Sequence, residues 1–258
     1  MPFGLQLYSV REPAKKDLQG TLKKVREIGY EYVQWSGMPG LPAKEICSAL
    51  DNAGLKAVAA HINVEDFEKK FDEQVEFWKT VGVTDVAPGG MMSDCRSDAE
   101  AWLKGCARLD ALGARLRLKN IRLSYHNHDW ELQFFPNQTS CKLDVLLQST
   151  CPDNLFAEFD LAWLYIGGSN PADWLKKYPK RCPVIHIKDA KIEKKLTGKR
   201  HIFVPLGKGE LNWEEILPSA KTAQVEWYIY EQDSFQGDIF EEISESYNFL
   251  KKIFLHEK

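Results

Sequence analysis

Residues 155–189 read LFAEFDLAWLYIGGSNPADWLKKYPKRCPVIHIKD. A short apolar run ends on a carboxylate at Asp160, an amphipathic stretch from Ala172 to Tyr178 follows, and a second apolar run, Val184 to Lys188, again ends on polar residues. Strand-length apolar runs separated by helix-length segments mark a βαβ unit, whose two strands lie parallel. The pattern repeats outward on both sides. Further strands are expected at Phe3 to Tyr8, Tyr32 to Trp35, Leu55 to His61, Asp85 to Ala87, Ile121 to His128 and Trp227 to Glu231. Helices are expected at Asp17 to Ile28, Ala43 to Asn52, Phe67 to Val81, Ala99 to Lys119, Leu143 to Ser149, Trp213 to Ala220 and Ile239 to Phe254, with Gly29 and Gly54 as stops for the first two. Eight such units in 258 residues match the size of a closed α/β barrel, so a single (β/α)8 TIM-barrel domain over residues 1–258 is expected.

Composition narrows the function. Hydrophobic residues at 44% and charged residues at 28% suffice to close a core, and a net charge of -3 leaves no basic excess to neutralise a phosphate backbone. A small molecule is therefore the expected partner, not nucleic acid. No apolar run reaches membrane length and no basic segment precedes a long apolar one near Met1, so neither a membrane nor a secretory route is expected. Cys47, Cys95, Cys106, Cys141, Cys151 and Cys182 fall singly, without a CxxC pair, and are expected as reduced thiols in a cytoplasmic protein. The basic run KIEKKLTGKR, Lys191 to Arg200, is expected as a solvated loop after the seventh strand, with a phosphate clamp at the barrel mouth as the sharper alternative.

Barrels of this kind present their catalytic groups at the C-terminal ends of the strands. There the chain offers YHNHDWE (125–131), Asp160, then His186, Lys188 and Asp189, then Glu231 and Asp233 of WYIYEQD. Side chains alternate faces along a strand, which turns Asp160, His186 with Lys188, and Glu231 inward, while His126 and His128 share one face. An inward ionised carboxylate is costly unless paired or coordinated. One inward His or Asp is as readily a hydrogen-bonded core group, but recurrence at three consecutive strand ends favours a divalent metal, Mn, Co, Zn or Mg, with Asp160, His186 and Glu231 as ligands. Tyr125, Trp130 and Trp163 read as packing or pocket-wall residues.

The runs LQLYSVR (5–11), VQWSG (33–37), YHNHDWE, DLAW with GGSNPADWL (160–175), HIKD (186–189), PLGKGELNW (205–213) and YEQD (230–233), in this order over nearly the whole chain, resemble the sugar phosphate isomerase/epimerase proteins of the xylose isomerase-like superfamily. The resemblance implies a divalent metal held by Glu, Asp, His and Glu from four late strands. Asp160, His186 and Glu231 match three of these, whereas His126 stands where strand five should end in glutamate. Glu131 is taken as the fourth ligand, with His126 or His128 as the alternative.

The function implied is metal-dependent isomerisation or epimerisation of a sugar or polyol by proton abstraction and an enediolate. Glu231, His126 and His128 are the candidate proton carriers, and Lys188 neutralises an oxyanion or else pairs with Glu158 or Asp160. A dehydratase or lyase acting on keto-sugars or inosose uses the same enediolate and stays open, as does a non-catalytic carbohydrate-binding barrel. A barrel endonuclease is hinted at only by His61 and the strand-five histidines. PLGKGELNW looks like a phosphate cradle but lacks P-loop spacing, and a turn into a helix accounts equally for Gly207 and Gly209. A homo-oligomer is compatible with everything above.

Overall fold

The computed structural model describes residues 3–195 and 198–255. Its strands are β1 (Phe3–Gln6), β2 (Tyr32–Trp35), β3 (Lys56–His61), β4 (Asp85–Ala87), β5 (Arg122–His126), β6 (Leu155–Asp160), β7 (Val184–Ile187), β8 (Asp189–Lys195), β9 (Gly198–Val204) and β10 (Trp227–Tyr230). The helices are α1 (Arg11–Lys16), α2 (Leu18–Ile28), α3 (Ala43–Ala53), α4 (Val64–Lys69), α5 (Phe71–Val81), α6 (Ala99–Arg117), α7 (Lys142–Gln148), α8 (Leu161–Ile166), α9 (Pro171–Lys177), α10 (Trp213–Thr222) and α11 (Ile239–Leu255). Eight parallel strands close in the order β1-β2-β3-β4-β5-β6-β7-β10, and β10 returns to β1 with Gly4 opposite Ile229. This is the expected TIM barrel.

Alternation divides the strands as expected. Leu5, Val33, Tyr125, Ala157, Phe159, Ile185, Ile187 and Tyr230 belong to the buried apolar cluster between barrel and helices. The inside differs from the branched apolar filling common in such barrels. Gln6, Gln34, Ser124, Glu158 and His186 are buried there instead, and most are bonded to one another across the lumen.

Three local features depart from the sequence expectation. Strand β1 stops at Gln6 and turns through a 3-10 segment, Leu7–Val10, into α1. The helix expected over Phe67–Val81 is two helices broken at Lys70, with Asn63 capping the first. The described residues of 191–200, a segment expected as a loop, belong to an antiparallel hairpin, β8 paired with β9, in which Asp189 lies opposite Val204. Its lysine-rich sequence mimics a solvated loop, while Ala190 and Phe203 pack on Ala162 beside Trp163. Leu196 and Thr197 lie outside the described residues.

The segment PLGKGELNW is a turn into α10 and not an open cradle. The Asp189 carboxylate accepts the amides of Gly207 (2.9 Å), Gly209 (3.1 Å) and Leu211 (3.3 Å) and the Trp213 indole N–H (3.0 Å). Those donors would face an anionic ligand, so the loop already holds its own. Gly209 is needed because a Cβ there would overlap the Asp189 carboxylate. All six cysteines are unpaired, with Cys95, Cys106, Cys141 and Cys182 buried. Among the described residues no helix is long and apolar enough to cross a membrane.

Candidate active site

Asp160 is the last residue of β6 and the N-cap of α8: its Oδ1 accepts the Trp163 amide at 2.9 Å. The cap fixes the carboxylate and leaves Oδ2 facing the lumen, 2.8 Å from Lys188 Nζ and 3.9 Å from His186 Nδ1. Lys188 follows β7 on the same inward face as His186 and also lies 2.9 Å from Glu231 and 2.7 Å from Asp233. Of the two partners expected for it, Asp160 is met and Glu158 is not. His186 Nδ1 lies 2.9 Å from Glu231 Oε2.

Burial and pairing set the charges. Burial lifts the Asp160 carboxyl to about 6, against the pull of Lys188 and His186. Burial works the same way on Glu231, but there Lys188 and His186 win and hold it well below the usual carboxylate range. Burial opposes a charged His186, yet Glu158 and Glu231 outweigh it and raise the ring to about 10. Lys188 is likewise held well above its ordinary value by Asp160, Asp233 and Glu231 despite its burial. At neutral pH the site contains an ammonium and an imidazolium among carboxylates.

A second polar layer lies one pleat deeper. Glu158, 1% exposed, receives Gln34 Nε2 on Oε2 (2.8 Å), and its Oε1 lies 2.7 Å from His61 Nε2, 3.1 Å from His186 Nε2 and 3.5 Å from His126 Nδ1. Gln34 Oε1 accepts from Gln6 at 2.9 Å and lies 2.6 Å from His186 Nε2. With acceptors at both ring nitrogens, His186 is read as the doubly protonated form, and it would give up a ring proton to ligate an ion. Burial would raise the Glu158 carboxyl, but His186 and His61 hold it well below its usual range.

Two sets of donor atoms converge within 4.8 Å: His126, Asp160, His186 and Glu231, and beneath them His61, His126, Glu158 and His186. Ligands about 2.1 Å from one ion sit at most about 4.2 Å apart, so closure on an ion asks for shifts of a few tenths of an ångström. The upper set fits a divalent cation. It mixes imidazole with carboxylate, and His126 Nδ1 is buried with no hydrogen-bond partner among the described residues. The carboxylates Glu158, Asp160, Glu231 and Asp233 also outnumber the cations Lys188 and His186 that face them.

Glu131, expected as the fourth ligand, stands outside this set, and His126 occupies the strand-five place. Strand β5 ends at His126, and the chain turns through Trp130–Leu132. Glu131 then joins the outward face of the strand, accepting Tyr125 Oη–H at 2.8 Å and the His128 amide at 2.9 Å. Burial lifts its carboxyl to about 7. Replacing Glu131 by Gln keeps the shape and one good acceptor. The expected result is a loss of about 1–2 kcal/mol, a Tm lower by about 2–8 °C, and an unchanged metal content by elemental mass spectrometry. A variant stripped of metal would return Glu131 to the ligand set.

The site opens into a cleft of about 240 Å3 lined by Tyr8, Ser36, His61, Gly89, His126, His128, Glu231 and Asp233. This is small by the standard of drug-sized pockets and suits a monosaccharide-sized molecule. His128 packs on Trp163 with ring centroids 5.4 Å apart; burial and Lys188 lower its pKa, which keeps it neutral. Trp163 and Phe203 lie over Lys188 Nζ at 5.7 and 5.1 Å, so both rings shield the ammonium. Sequence reasoning missed Gln34 and Glu158 as members of the site and set His61 aside. The signals existed: Glu158 shares the parity of Asp160, and His61 is a polar residue ending an apolar strand.

A family model described as Xylose isomerase-like TIM barrel matches residues 22–253. Over 189 residues the chain is 26% identical to an inosose dehydratase of Clostridium perfringens, which covers 64% of this chain and 62% of the relative. The chain spans 50–62% of the length of the first curated relatives it matches. A solved sugar phosphate isomerase/epimerase from Parabacteroides distasonis has a TM-score of 0.82 at 20% identity, covering 97% of both chains. A xylose isomerase-like TIM barrel protein from Mycobacterium smegmatis, in complex with magnesium, has a TM-score of 0.74 at 15% identity, covering 98% of this chain and 96% of that one. At these identities both structures speak to the fold.

Proposed function

Because the chain belongs to the xylose isomerase-like TIM barrel family, we propose that it is an isomerase or epimerase that moves a proton beside the carbonyl of a small sugar or polyol, with a divalent ion held by His126, Asp160, His186 and Glu231. The observation that carries this reading is the buried convergence of those four side chains at the strand ends, beneath a histidine-lined cleft. A bound ion supplies Lewis acidity toward a carbonyl oxygen. Lys188, held by Asp160, Glu231 and Asp233, adds a fixed positive charge for the oxyanion of the enediolate. Glu231, ionised and lining the cleft, takes the proton from carbon. His128, neutral and with its Nδ1 buried without a partner among the described residues, holds or returns it. His126 serves as a ligand and not as a base in this reading, since its ring faces Glu158 and the upper donor set.

Dehydration is the second reading. The same proton abstraction followed by loss of a β-hydroxyl as water is the chemistry in the name of the Clostridium perfringens relative. Both are tested by incubating the protein with Mn in deuterated water with ketoses, inososes and 3-keto-glycosides, read by NMR. Deuterium at the carbon beside the carbonyl is expected, and loss of one water from the product selects the lyase. No exchange into any of them would leave a carbohydrate-binding barrel.

A further inference from the structure

We propose that His61 is a catalytic acid–base group of this site, with Glu158 as the residue that positions it; the inference rests on the proton-transfer reading above. His61 ends β3 and its side chain is 15% exposed, lining the same cleft as Glu231 and His128. Its Nε2 lies 2.7 Å from Glu158 Oε1, and Glu158 is itself fixed by the Gln34 amide on its other oxygen. A carboxylate acceptor at Nε2 places the ring proton there and leaves the lone pair on Nδ1. Nδ1 in turn lies on the side of Gly89, where an added Cβ would stand 3.7 Å from it, in ordinary van der Waals contact. A buried carboxylate, an oriented imidazole and an open nitrogen facing a polar cleft form the base-with-orienter arrangement of acid–base enzymes.

The lower donor set does not need His61 for an ion. It shares His126 and His186 with the upper set, and of the three rings facing Glu158 Oε1, His61 is the nearest, at 2.7 Å against 3.1 Å for His186 and 3.5 Å for His126. Glu231 moves the proton on one face of the carbon, and on the other face His61 Nδ1 takes it. The C–H pair becomes the C=C bond of the enediolate, the carbonyl π pair moves to oxygen, and an N–H bond forms. The proton then goes back to carbon, or it departs on the β-hydroxyl as water while the enediolate pair forms the new double bond. With Glu231 also in the cleft, two groups can serve two faces of one carbon, which epimerisation requires and which a single base fixed in place does not supply.

Bromohydroxyacetone, a short α-haloketone that alkylates an unprotonated base with loss of bromide, tests this without knowledge of the natural substrate. Peptide mass spectrometry of the labelled holoprotein is expected to find the adduct on His61, and Glu158→Gln is expected to slow labelling at least tenfold. Two-bond 15N correlations in wild-type protein should show the His61 proton on Nε2, so the proposal stays decidable even where Glu158→Gln does not fold. His61→Gln should lose at least 100-fold of the deuterium exchange while keeping its metal, consistent with removal of a general base. An adduct on His128 or Glu231 with His61 untouched, or metal lost from His61→Gln, overturns the proposal. Exchange by wild type with His61 unlabelled sinks the dyad and spares the proton-transfer reading; a labelled His61 with no exchange into any polyol does the reverse.

Discussion

Glu231→Gln is expected to lower solvent-deuterium exchange into the substrate by about 10³-fold, within the range for loss of a general acid or base. The substitution keeps the volume and the acceptor for His186 Nδ1 while removing the charge that the ring (2.9 Å) and Lys188 (2.9 Å) both face. Glu231 is 4% exposed, yet it is ionised and lines the cleft, so it is placed to act as both ligand and proton carrier. Metal content should fall alongside exchange while far-UV circular dichroism stays as in wild type. Exchange within tenfold of wild type would remove Glu231 from the chemistry and shift the burden to the histidines.

Lys188→Met is expected to cost about 3–5 kcal/mol, a fall of about 10 °C in Tm at pH 8, because it leaves buried carboxylates without their ammonium. Methionine fills the space, so the loss is of charge compensation for Asp160, Glu231 and Asp233 at 2.7–2.9 Å. The pH dependence has a definite sign. Asp160 has a folded value of about 6, above its ordinary value, so its ionisation disfavours the fold as pH rises through that range. Removing Lys188 takes away the largest influence that lowers it and moves the value higher still. The gap between variant and wild type is therefore full only above the variant's raised value, narrows as pH falls from there to about 6, and changes no further below it, where both proteins carry a protonated Asp160 that needs no partner. Mn should also raise the variant's Tm more than wild type's, by supplying the missing charge. Equal Tm values at pH 8, measured by calorimetry, would show that the ammonium is not what holds the three carboxylates.

The eight barrel strands were legible because each is a short apolar run with polar ends, and period-2 alternation turned Asp160, His186, Lys188 and Glu231 the right way. Helix α8 was not read, although Asp160 before LAWLYI and two glycines after it carry the start and stop signals of a helix. Asp160 has two duties, capping α8 through Oδ1 and facing the lumen through Oδ2. Glu131 was misplaced because parity could not say where β5 ends; two residues more of strand or turn decide which face it joins. The Gln6–Gln34–Glu158–His61 layer was invisible for another reason. Its members come from four strands, the bonded pair Gln34 and Glu158 alone standing 124 positions apart, and only closure of the barrel makes them neighbours. The hairpin was lost because an edge ribbon rich in lysine looks like a loop to any reading based on apolar periodicity.

The Asp189 carboxylate ties residues 207–213 to the point where the chain leaves β7. The excursion between them therefore starts and ends at a fixed gate. Lengthening it changes the closure entropy only slowly. The hairpin is thus the part of the mouth that is free to diverge. Selection, or an engineer, can exchange residues 191–202 while Phe203 stays over Lys188 and the proton-handling residues stay in register.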